Sequence, residues 1–398
     1  MNIELPKNVE YILNKLEGQG YRADVVGGPV RDFLLGKSPA DYDITTSATP
    51  DEIKRIFSDE RTVDTGIKHG TVSVILDGAP YEVTTYRIDG EYKDSRHPET
   101  VTFTSKIEED LRRRDFTMNA IAYNPNRGIT DCYGGREDVE AGIIRAVGEP
   151  ELRFREDALR ILRGVRFASV LGFNIEEETK AAMLKTRHLL ANVSVERIYV
   201  ELKKTISAAH SYKALSEFSE IILGVIPELS GLKLPTEALY KGASYPARLI
   251  SLFYLNSDTS KDSYKRALTR LHTDSHIREV GASVLPLIKN VGAESDIELK
   301  YILRDVGEEC AGILVETKIL LGIASAESAD RLESLIKRKE VYKLSDLKID
   351  GKDLIALGVK GPQVGKILGA LLTEVIEDKC RNEKEALLSL ARSMIASH

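Results

Sequence analysis

The chain has 398 residues and a net charge of −6, with 42% hydrophobic and 30% charged residues. This is the composition of an ordinary globular protein with room for two to four structural units, and no segment approaches the roughly twenty apolar residues of a membrane span. The acidic balance gives no support to an RNA substrate, so local basic patches would have to carry such binding. The N-terminal residues do not predict a signal peptide. The scattered Cys132, Cys310 and Cys380 favour a reducing cytoplasm and exclude a cysteine zinc site.

After a helix at residues 7–18, the first strong pattern is a strand, a glycine turn and a short helix within residues 21–36. Gly27 and Gly28 let the backbone turn sharply and approach a ligand closely. The helix that follows would point backbone N–H groups at an anion, and Arg31 adds a fork suited to phosphate. A plain turn before a helix is the alternative.

Two carboxylates follow, at Asp41 and Asp43. In a strand, residues two apart share a face, so these side chains are expected to lie side by side. They would repel one another unless a cation sits between them, and hard oxygen ligands at a nucleotide site suit Mg²⁺. A paired-metal site can activate a hydroxyl and stabilise a leaving pyrophosphate. An Asp-x-Asp alone is most often a solvated turn, but here it closely follows Gly-Gly and Arg31.

Residues 70–76 and 81–86 read as strands joined by the hairpin signal Asp77-Gly78. Glu82 lies in the second strand. If that strand neighbours the aspartates, Glu82 is a candidate third carboxylate of the metal site; otherwise it faces solvent. Residues 87–97 are polar, contain glycine and end at Pro98, which predicts a mobile loop.

The combination of Gly-Gly, Arg31 and Asp-x-Asp resembles the nucleotidyltransferase superfamily of DNA polymerase beta. More narrowly, it resembles the bacterial and eukaryotic class of tRNA nucleotidyltransferases, the CCA-adding enzymes, and their relatives the bacterial poly(A) polymerases. The resemblance implies an α+β fold, with an N-terminal head built on a small mixed β-sheet and flanking helices, then an all-helical neck, body and tail. It also implies two Mg²⁺ ions at Asp41 and Asp43, a further carboxylate on a following strand, and a loop at residues 87–97 that helps the switch from C to A addition.

The run Arg-Arg-Asp-Phe-Thr-x-Asn-Ala at residues 113–120 is a second family match. Taken alone, three arginines and an aspartate would be a solvated helix face. The resemblance implies that Arg114 and Asp115 contact the phosphate and ribose of a nucleotide. A carboxylate that accepts from a sugar hydroxyl is one physical way to distinguish ribose from deoxyribose.

Residues 154–172 predict a helix with a buried apolar face, on which Asp157, Arg160, Arg163 and Arg166 recur every third residue. Each such step drifts by about 60° around the helix, so Asp157 and Arg160 are expected to be close neighbours. An ion pair on a surface helix is the alternative. The run Glu-Asp-x-x-Arg resembles the base-selecting motif of the family.

An aspartate acceptor beside an arginine donor complements the pairing edges of both cytosine and adenine, each of which has an exocyclic amine next to a ring-nitrogen acceptor. Uracil and guanine present the reverse polarity and would leave buried groups unpaired. Asp157 and Arg160 are therefore predicted to accept CTP and ATP and to reject UTP and GTP. Arg163 and Arg166 would face the triphosphate or orient Asp157.

The remaining sequence is helical in pattern from about residue 206. Ser-x-Glu-Arg at residues 194–197 resembles the last shared motif, and its predicted role is to buttress the base-reading helix. No His-Asp dipeptide occurs, so the phosphohydrolase domain of some relatives is expected to be absent. Residues 350–366 read as helix, glycine turn, helix. They resemble a tail segment that holds tRNA, with Lys360, Gly361, Gly365 and Lys366 as candidate contacts, although a plain turn is equally consistent.

These patterns predict an enzyme that adds CMP, CMP and AMP to the 3′ end of tRNA from CTP and ATP, with no obligatory protein partner. The alternatives are an enzyme that adds only the terminal A and a bacterial poly(A) polymerase. A catalytically dead RNA-binding module is disfavoured because both aspartates are present. The expected domains are a catalytic head at 1–148, a helical neck at 149–206, a body at 207–330 and a tail at 331–398.

Overall fold

The computed structural model describes residues 3–90, 101–257 and 260–396, except for the side chain of Thr65. The chain forms two compact units, Met1–Pro227 and Glu228–His398. The first contains a mixed β-sheet with helices, and the second contains helices, which confirms the predicted α+β class with a helical C-terminal part. The boundary falls inside the predicted body, and the four-part division remains a prediction.

The first unit is built on a seven-stranded sheet of order β3-β4-β5-β2-β1-β8-β9. The β2–β5 pair is parallel and the other pairs are antiparallel, so the sheet is mixed as predicted. Two short two-stranded sheets, β6–β7 and β10–β11, accompany it. The strands are β1 Ala23–Val26, β2 Ile44–Thr46, β3 Arg61–Gly66, β4 Thr71–Leu76, β5 Ala79–Thr85, β6 Arg87–Asp89, β7 Val101–Phe103, β8 Ile121–Asn124, β9 Gly128–Asp131, β10 Ile143–Ile144 and β11 Asn174–Ile175.

The register of the central strands sorts apolar and polar side chains onto opposite faces. Ile44 pairs with Val83, which pairs with Val72, and all three are buried on one face. One residue along each strand, Thr45 pairs with Thr84 and Thr84 with Thr71 on the other face. Because side chains alternate along a strand, the residue before Ile44 and the residue before Val83 lie on this polar face too. Those residues are Asp43 and Glu82.

Helices flank the sheet and continue into the rest of the first unit. The first is amphipathic and buries Val9, Ile12, Leu13 and Leu16. The third begins with a capping box between Thr49 and Glu52. The helices are α1 Lys7–Glu17, α2 Gly28–Leu34, α3 Pro50–Ile56, α4 Ile107–Arg112, α5 Gly135–Ala141, α6 Pro150–Glu156, α7 Leu159–Leu171, α8 Glu177–Thr186, α9 Val195–Ser207, α10 Ser211–Glu217 and α11 Ser219–Val225.

The second unit is helical throughout its described residues, as the sequence predicts. Its last three helices pack around a core that includes the buried Leu354, Leu371, Ile376 and Leu387. The long helix α16 is interrupted at Gly307, whose φ of 76° suits glycine. The helices are α12 Glu237–Tyr240, α13 Tyr245–Asn256, α14 Lys261–Arg270, α15 Ser275–Val284, α16 Asp296–Leu320, α17 Glu327–Lys337, α18 Gly351–Ala356, α19 Gln363–Ile376 and α20 Lys384–Ala396. Within the described ranges, the model contains no helix with the length and apolarity needed to cross a bilayer.

Three local expectations were wrong. Asp41 and Asp43 precede β2 rather than lying in a strand, although the carbonyl of Asp43 still accepts from the N–H of Val26 at 3.0 Å. Residues 154–172 are two helices, because Asp157 adopts an extended conformation (φ −143°, ψ 102°) between α6 and α7. The segment predicted as a loop at residues 87–97 begins as strand β6, and its residues 91–97 lie outside the described part of the chain.

Candidate active site

A cleft of about 480 Å³ in the first unit gathers the residues of several separate motifs. Seven arginines and four aspartates line it, so its charge is mixed and net positive. Every candidate nucleotide-binding residue lies there together with Asp41 and Asp43, whereas Glu82 does not. The lining is Gly27, Gly28, Pro29, Arg31, Asp41, Asp43, Arg113, Arg114, Asp115, Asn119, Asp157, Leu159, Arg160, Arg163, Arg166, Phe167 and Arg197.

The glycine turn shapes one end of the cleft, as predicted. Gly27 has a φ of 81°, and a Cβ built on it would lie 3.1 Å from Nη1 of Arg114. The turn therefore needs glycine for its backbone conformation and for the close approach of this guanidinium. Gly28 and Pro29 then form the first turn of α2.

Arg31 extends from α2 into the cleft and is held in place by polar partners. Its Nη1 donates to Oδ1 of Asn119 at 2.8 Å, and its Nε and Nη2 donate to Asp32 at 3.0 and 2.8 Å. The guanidinium carbon also lies 5.5 Å from the ring centroid of Phe167. A guanidinium restrained in this way loses little side-chain freedom when it binds an anion.

The carboxylates of Asp41, Asp43 and Glu82 contrast with the other acids of the site, because none of the three makes a side-chain hydrogen bond or salt bridge with a described residue. All three residues are exposed. The walls of the cleft nevertheless desolvate the Asp43 carboxylate, and this raises its pKa; the positive Arg114 opposes the rise, and Asp41 and Glu82 add to it. Unpaired carboxylates close to one another are the donor set expected of a site for a hard cation.

Asp41, Asp43 and Glu82 fit a divalent metal ion by their chemistry, although they do not form a ready-made cage. No cluster of three or more acidic, histidine or cysteine side chains with metal-binding geometry occurs among the described residues. A site of two aspartates can hold Mg²⁺ when the substrate phosphates supply further ligands. The donor set is therefore consistent with a metal that binds together with the nucleotide.

Arg114 interacts with the exposed Asp43 and with the buried Asp110. Its Nη2 lies 3.4 Å from Oδ2 of Asp110, which is fully buried and also accepts from Nε and Nη2 of Arg113 at 2.9 and 2.7 Å. Burial lowers the pKa of Arg114, with Asp110 and Asp43 opposing the change. Nε of Arg114 is buried and has no hydrogen-bond partner among the described residues. An unsatisfied donor of this kind is available to an anionic ligand.

Asp115 is buried and paired with Arg163 of α7. Oδ2 of Asp115 accepts from Nε and Nη2 of Arg163, both at 2.7 Å, while Oδ1 accepts from the N–H of Phe116 at 2.8 Å. Burial alone would raise the pKa of Asp115, but the charge and hydrogen bonds of Arg163 lower it to about 2. The Asp115–Arg163 pair thus connects the Arg-Arg-Asp run to helix α7.

The part of the cleft that contains Asp157 and Arg160 differs from the expected geometry. Asp157 and Arg160 do not form the ion pair that was the alternative to base reading, and they are not neighbours on one continuous helix, because the helix is broken at Asp157. Oδ2 of Asp157 instead accepts from Nη2 of Arg197 at 2.7 Å, and Oδ1 accepts from the N–H of Leu159 at 3.1 Å. Nη1 of Arg160 donates to Glu156 at 2.6 Å, and Nη2 donates to the carbonyl of Arg113 at 2.8 Å. Both side chains line the cleft, each held by its own partners.

Arg166 also lines the cleft, but it does not orient Asp157. Its Nε donates to Glu201 of α9 at 2.6 Å, and its guanidinium carbon lies 4.0 Å from the ring centroid of Phe167. Arg163 stacks on the same ring at 5.5 Å. Arg163 and Arg166 were expected either to face the triphosphate or to orient Asp157. Arg163 contacts Asp115 instead of Asp157, and Arg166 contacts Glu201.

Six residues that line the cleft were not named as site residues from the sequence: Pro29, Arg113, Asn119, Leu159, Phe167 and Arg197. Arg113 and Asn119 stand in the Arg-Arg-Asp-Phe-Thr-x-Asn-Ala run, and Arg197 in the Ser-x-Glu-Arg run, so the motifs contained the signal. The predicted buttressing role of that second run agrees with the Arg197–Asp157 pair. Ser194 is at the N-cap position of α9, but its side chain makes no capping hydrogen bond.

The candidate tRNA contacts lie in the second unit. The predicted helix, turn and helix are present, with α18 and α19 separated by a turn that contains Gly358 and Gly361 at positive φ. Lys360, Gly361, Gly365 and Lys366 are all exposed. The geometry is consistent with a phosphate-binding turn, and the role itself stays a prediction.

Comparison with known proteins covers nearly the whole chain. The model of the poly A polymerase head domain matches residues 23–145, that of the RNA and SrmB- binding site of polymerase A matches 172–230, and that of tRNA nucleotidyltransferase domain 2 matches 247–391. The CCA-adding enzyme of Pediococcus pentosaceus is 38% identical over 395 residues, which is 96% of each chain. That of Levilactobacillus brevis is 38% identical over 401 residues, covering 97% of this chain and 98% of the relative.

Solved structures agree with these sequence relatives. The CCA-adding enzyme of Bacillus stearothermophilus, in complex with CTP, superimposes with a TM-score of 0.80 at 32% identity and covers 99% of both chains. The Thermotoga maritima CCA-adding enzyme complexed with tRNA shares the fold, with a TM-score of 0.70 at 22% identity. From the motifs gathered in one cleft and from relatives matched along nearly their full length, we conclude that the chain belongs to the CCA-adding enzymes, a family of tRNA nucleotidyltransferases.

Proposed function

We propose that this enzyme adds C, C and A in turn to the 3′ end of tRNA, using CTP and ATP and no nucleic-acid template. The observation that carries the proposal is the single cleft in which two unpaired aspartates face a set of arginines. Such a cleft can hold a polyanionic triphosphate and the cation that accompanies it. The CTP complex of the Bacillus stearothermophilus relative supports a pyrimidine triphosphate as one ligand.

Nucleotidyltransferases of this family generally use divalent metal ions. We propose that Asp41 and Asp43, with Glu82 as the neighbouring carboxylate, hold two Mg²⁺ ions. Bound there, the ions would lower the pKa of the RNA 3′-hydroxyl and stabilise the leaving pyrophosphate. The 3′-oxygen forms a bond to the α-phosphorus while the bond from that phosphorus to the bridging oxygen breaks, and pyrophosphate leaves.

The protein's own contribution is to position the nucleotide. Arg31 and Arg114 are placed to bind the phosphates, with Gly27 and Gly28 allowing close approach. The buried, unpartnered Nε of Arg114 supports this role. Asp115 would accept from a ribose hydroxyl while Arg163 holds it ionised, which is consistent with its lowered pKa.

Base selection is assigned to Asp157 and Arg160. Because Arg197 and the N–H of Leu159 fix both oxygens of Asp157, the carboxylate is presented to the base in one orientation. Each oxygen keeps a second lone pair, so it can still accept from an exocyclic amine. Glu156 and the carbonyl of Arg113 hold the guanidinium of Arg160 in the same way. Residues that do not contact the base thus hold Asp157 and Arg160 in the orientation that would bind cytosine or adenine.

The test is single-nucleotide extension of two tRNAs, one that lacks CCA and one that ends in CC, with CTP, ATP or both. Addition of CC and then one A to the first tRNA is expected. Extension of only the CC-ending tRNA by one A would indicate an A-adding enzyme, and long adenylate ladders would indicate a poly(A) polymerase. An Arg160→Ala variant is expected to incorporate UTP and GTP more readily, and unchanged selectivity would contradict the base-reading role.

The exposed turn at Lys360 and Gly361, together with Gly365 and Lys366 in the first turn of α19, is proposed to contact the tRNA backbone. Charge reversal at Lys360 and Lys366 should weaken tRNA binding and reduce its salt dependence, because phosphate contacts release counterions. Reversal of Lys339, an exposed lysine elsewhere in the second unit, is the matched control. The free cysteines are consistent with a cytoplasmic location, which also remains a proposal.

A further inference from the structure

The aromatic ring of Phe167 lies among three cationic side chains of the nucleotide cleft. The guanidinium carbon of Arg166 is 4.0 Å from the ring centroid, and the guanidinium carbons of Arg31 and Arg163 are each 5.5 Å from it. All four residues line the cleft. We propose that Phe167 is a positioning residue for the nucleotide, whose ring gathers these arginines into one group that binds the polyphosphate chain; the proposal rests on the function proposed above.

The three arginines reach the ring from two separate segments of the chain. Arg31 extends from α2, whereas Arg163 and Arg166 belong to α7, the helix that also contains Phe167. Arg163 precedes Phe167 by four residues, so the two side chains share one face of the helix. The ring therefore connects the helix that follows the glycine turn to the arginines of α7.

Like charges repel one another when they are brought together, so an attractive contact is needed to offset the repulsion. Burial lowers the pKa of Arg166, Glu201 opposes this change, and the neighbouring charge of Arg163 adds to it. The face of an aromatic ring attracts guanidinium groups that lie within about 6 Å of its centroid. The ring carries no net charge, so it attracts the arginines without neutralising them. A carboxylate in its place would also attract the arginines, but it would repel the polyphosphate.

Two of the guanidinium groups are linked a second time through polar partners. Nη1 of Arg31 donates to Asn119 at 2.8 Å, and Nε of Arg163 donates to Asp115 at 2.7 Å. Asn119 in turn donates to Asp115 at 3.3 Å, so Arg31 and Arg163 are connected by this chain of hydrogen bonds as well as by the ring. Guanidinium groups held in this way have little side-chain freedom to lose when they bind an anion.

An aromatic ring in a nucleotide cleft could instead stack on the base, but the surroundings of Phe167 disfavour that role. The side chain is only 5% exposed, and Arg166 already lies close to the ring. Phe116, which is fully buried, packs edge to face against it, with ring centroids 5.8 Å apart and ring planes at 85°. Such a T-shaped contact fixes the orientation of the ring. The ring therefore acts on the arginines rather than on the base.

The first test changes the charge on the ring face with little change in its shape. Phe167 is replaced by 4-fluoro-, 3,5-difluoro- and 3,4,5-trifluorophenylalanine, because fluorine withdraws electron density from the ring. Binding of inorganic tripolyphosphate and of CTP to the full-length protein is then measured by calorimetry. The dissociation constant of tripolyphosphate should rise with each added fluorine and reach about ten times the wild-type value for the trifluoro variant.

The matched control is the same series of substitutions at Phe57. Its ring lies 5.2 Å from Nζ of Lys15, and the residue is not part of the cleft lining. Tripolyphosphate binding by these control variants should stay within about twofold of wild type. A dissociation constant that does not depend on fluorination at Phe167, or a wild-type protein that binds no tripolyphosphate, would overturn the proposal. Weaker binding of CTP without weaker binding of tripolyphosphate would overturn it too, because the ring would then act on the nucleoside.

A second measurement uses Phe167→Leu in the extension assay. The KM values for CTP and ATP should both rise about tenfold, while the preference for these nucleotides over UTP and GTP should stay within about twofold of wild type, because all four share the same polyphosphate chain. A loss of base selectivity as large as the rise in KM would overturn the proposal. If the wild type extends no tRNA, the function proposed above fails, while the tripolyphosphate titration still tests the role of Phe167.

Discussion

The acidic residues around the nucleotide cleft fall into two groups with opposite environments. On one side, Asp41, Asp43 and Glu82 are exposed and have no side-chain partner among the described residues. On the other side, Asp115 forms a salt bridge with Arg163 and Asp157 forms one with Arg197, each at 2.7 Å. The first group forms no ion pair with a described residue, which is consistent with the metal-binding role proposed above. The second group is already neutralised by the protein.

The two groups also differ in what holds them. Asp41 and Asp43 lie just before β2, and Glu82 lies within β5, so the positions of the unpaired acids follow from the sheet. The paired acids tie together segments far apart in sequence, since Asp115 bonds to α7 and Asp157 to α9. Glu201 of α9 acts in the same way on Arg166 of α7, whereas Glu156 holds Arg160 over only four residues. The comparison shows that Asp41, Asp43 and Glu82 have no ion-pair partner among the described residues, whereas arginines of other segments hold Asp115 and Asp157 in place. This division can be tested.

The largest effect is expected from Asp41→Asn or Asp43→Asn. Either change should reduce nucleotide incorporation by about a thousandfold or more, because the carboxylates bind the cation that the transfer requires. The thermal unfolding midpoint should stay equal to that of wild type or rise slightly, since a mutual repulsion is removed. Extension assays and thermal melts measure both quantities. Asp51→Asn, an exposed residue of α3, is the control; near-normal turnover of either site variant would contradict the assignment.

For the paired acids, by contrast, a substitution is expected to lower the stability of the fold. Asp115→Ala should destabilise the fold by about 2 kcal/mol, because Arg163 loses the buried carboxylate that accepts its two hydrogen bonds, and its side chain, 35% exposed, is only partly compensated by solvent. Urea unfolding at neutral pH measures the change. Asp64→Ala removes an exposed pair with Lys54 and should cost about 0.5 kcal/mol or less. If Asp115→Ala were as stable as the control, the ion pair would not hold the fold together.

Acid should affect the paired side selectively. The pKa of Asp115 is about 2 in the folded protein against an ordinary value of 3.8, so the folded state binds its proton more weakly than the unfolded state. The stabilisation is complete above about pH 5 and is lost as the pH falls toward 2; it amounts to about 2 kcal/mol. Urea unfolding of wild type and Asp115→Asn across this range should show the steeper loss in wild type. Parallel curves would rule out this contribution.

The smallest expected effect concerns base selection. Arg197→Met removes the donor that holds Oδ2 of Asp157, so preference for CTP and ATP over UTP and GTP should fall about tenfold. Incorporation of CTP itself should fall less, because no phosphate contact is assigned to Arg197. Competition assays with all four nucleotides measure the ratio. Arg155→Met, at an exposed position of α6, is the control. Selectivity equal to the control would mean that Asp157 does not depend on Arg197.

Many residues of the cleft were predictable because they belong to short sequence motifs. Gly27, Arg31 and Asp43 were predicted from residue type and spacing and Arg114 from the family resemblance, and all four line one cleft. The neighbouring position of Glu82 was also anticipated from a strand pattern, and the parallel pairing of β2 with β5 confirms that its strand lies next to the one that follows Asp43. Motifs of this kind succeed because local backbone preferences already decide where the turn and the strands occur.

The partners of the arginines were not predictable in the same way. Periodicity places Asp157 beside Arg160 only if the helix is continuous, and the break at Asp157 sends the two side chains to Arg197 and Glu156 instead. Arg197 is 40 residues from Asp157 along the chain, and nothing in the spacing indicates that pair. Contacts between distant segments depend on how the helices pack, which a linear pattern does not record.

The sequence by itself determined the glycine turn and the identity of the charged groups, because these depend on residue type, local propensity and short-range spacing, and its resemblance to a known family implied the class of fold. The tertiary structure alone decided which acids are paired and which are left unpaired. That distinction arises from burial, since a desolvated carboxylate must find a cation within the protein, whereas a carboxylate at the mouth of the cleft can remain available for one from outside.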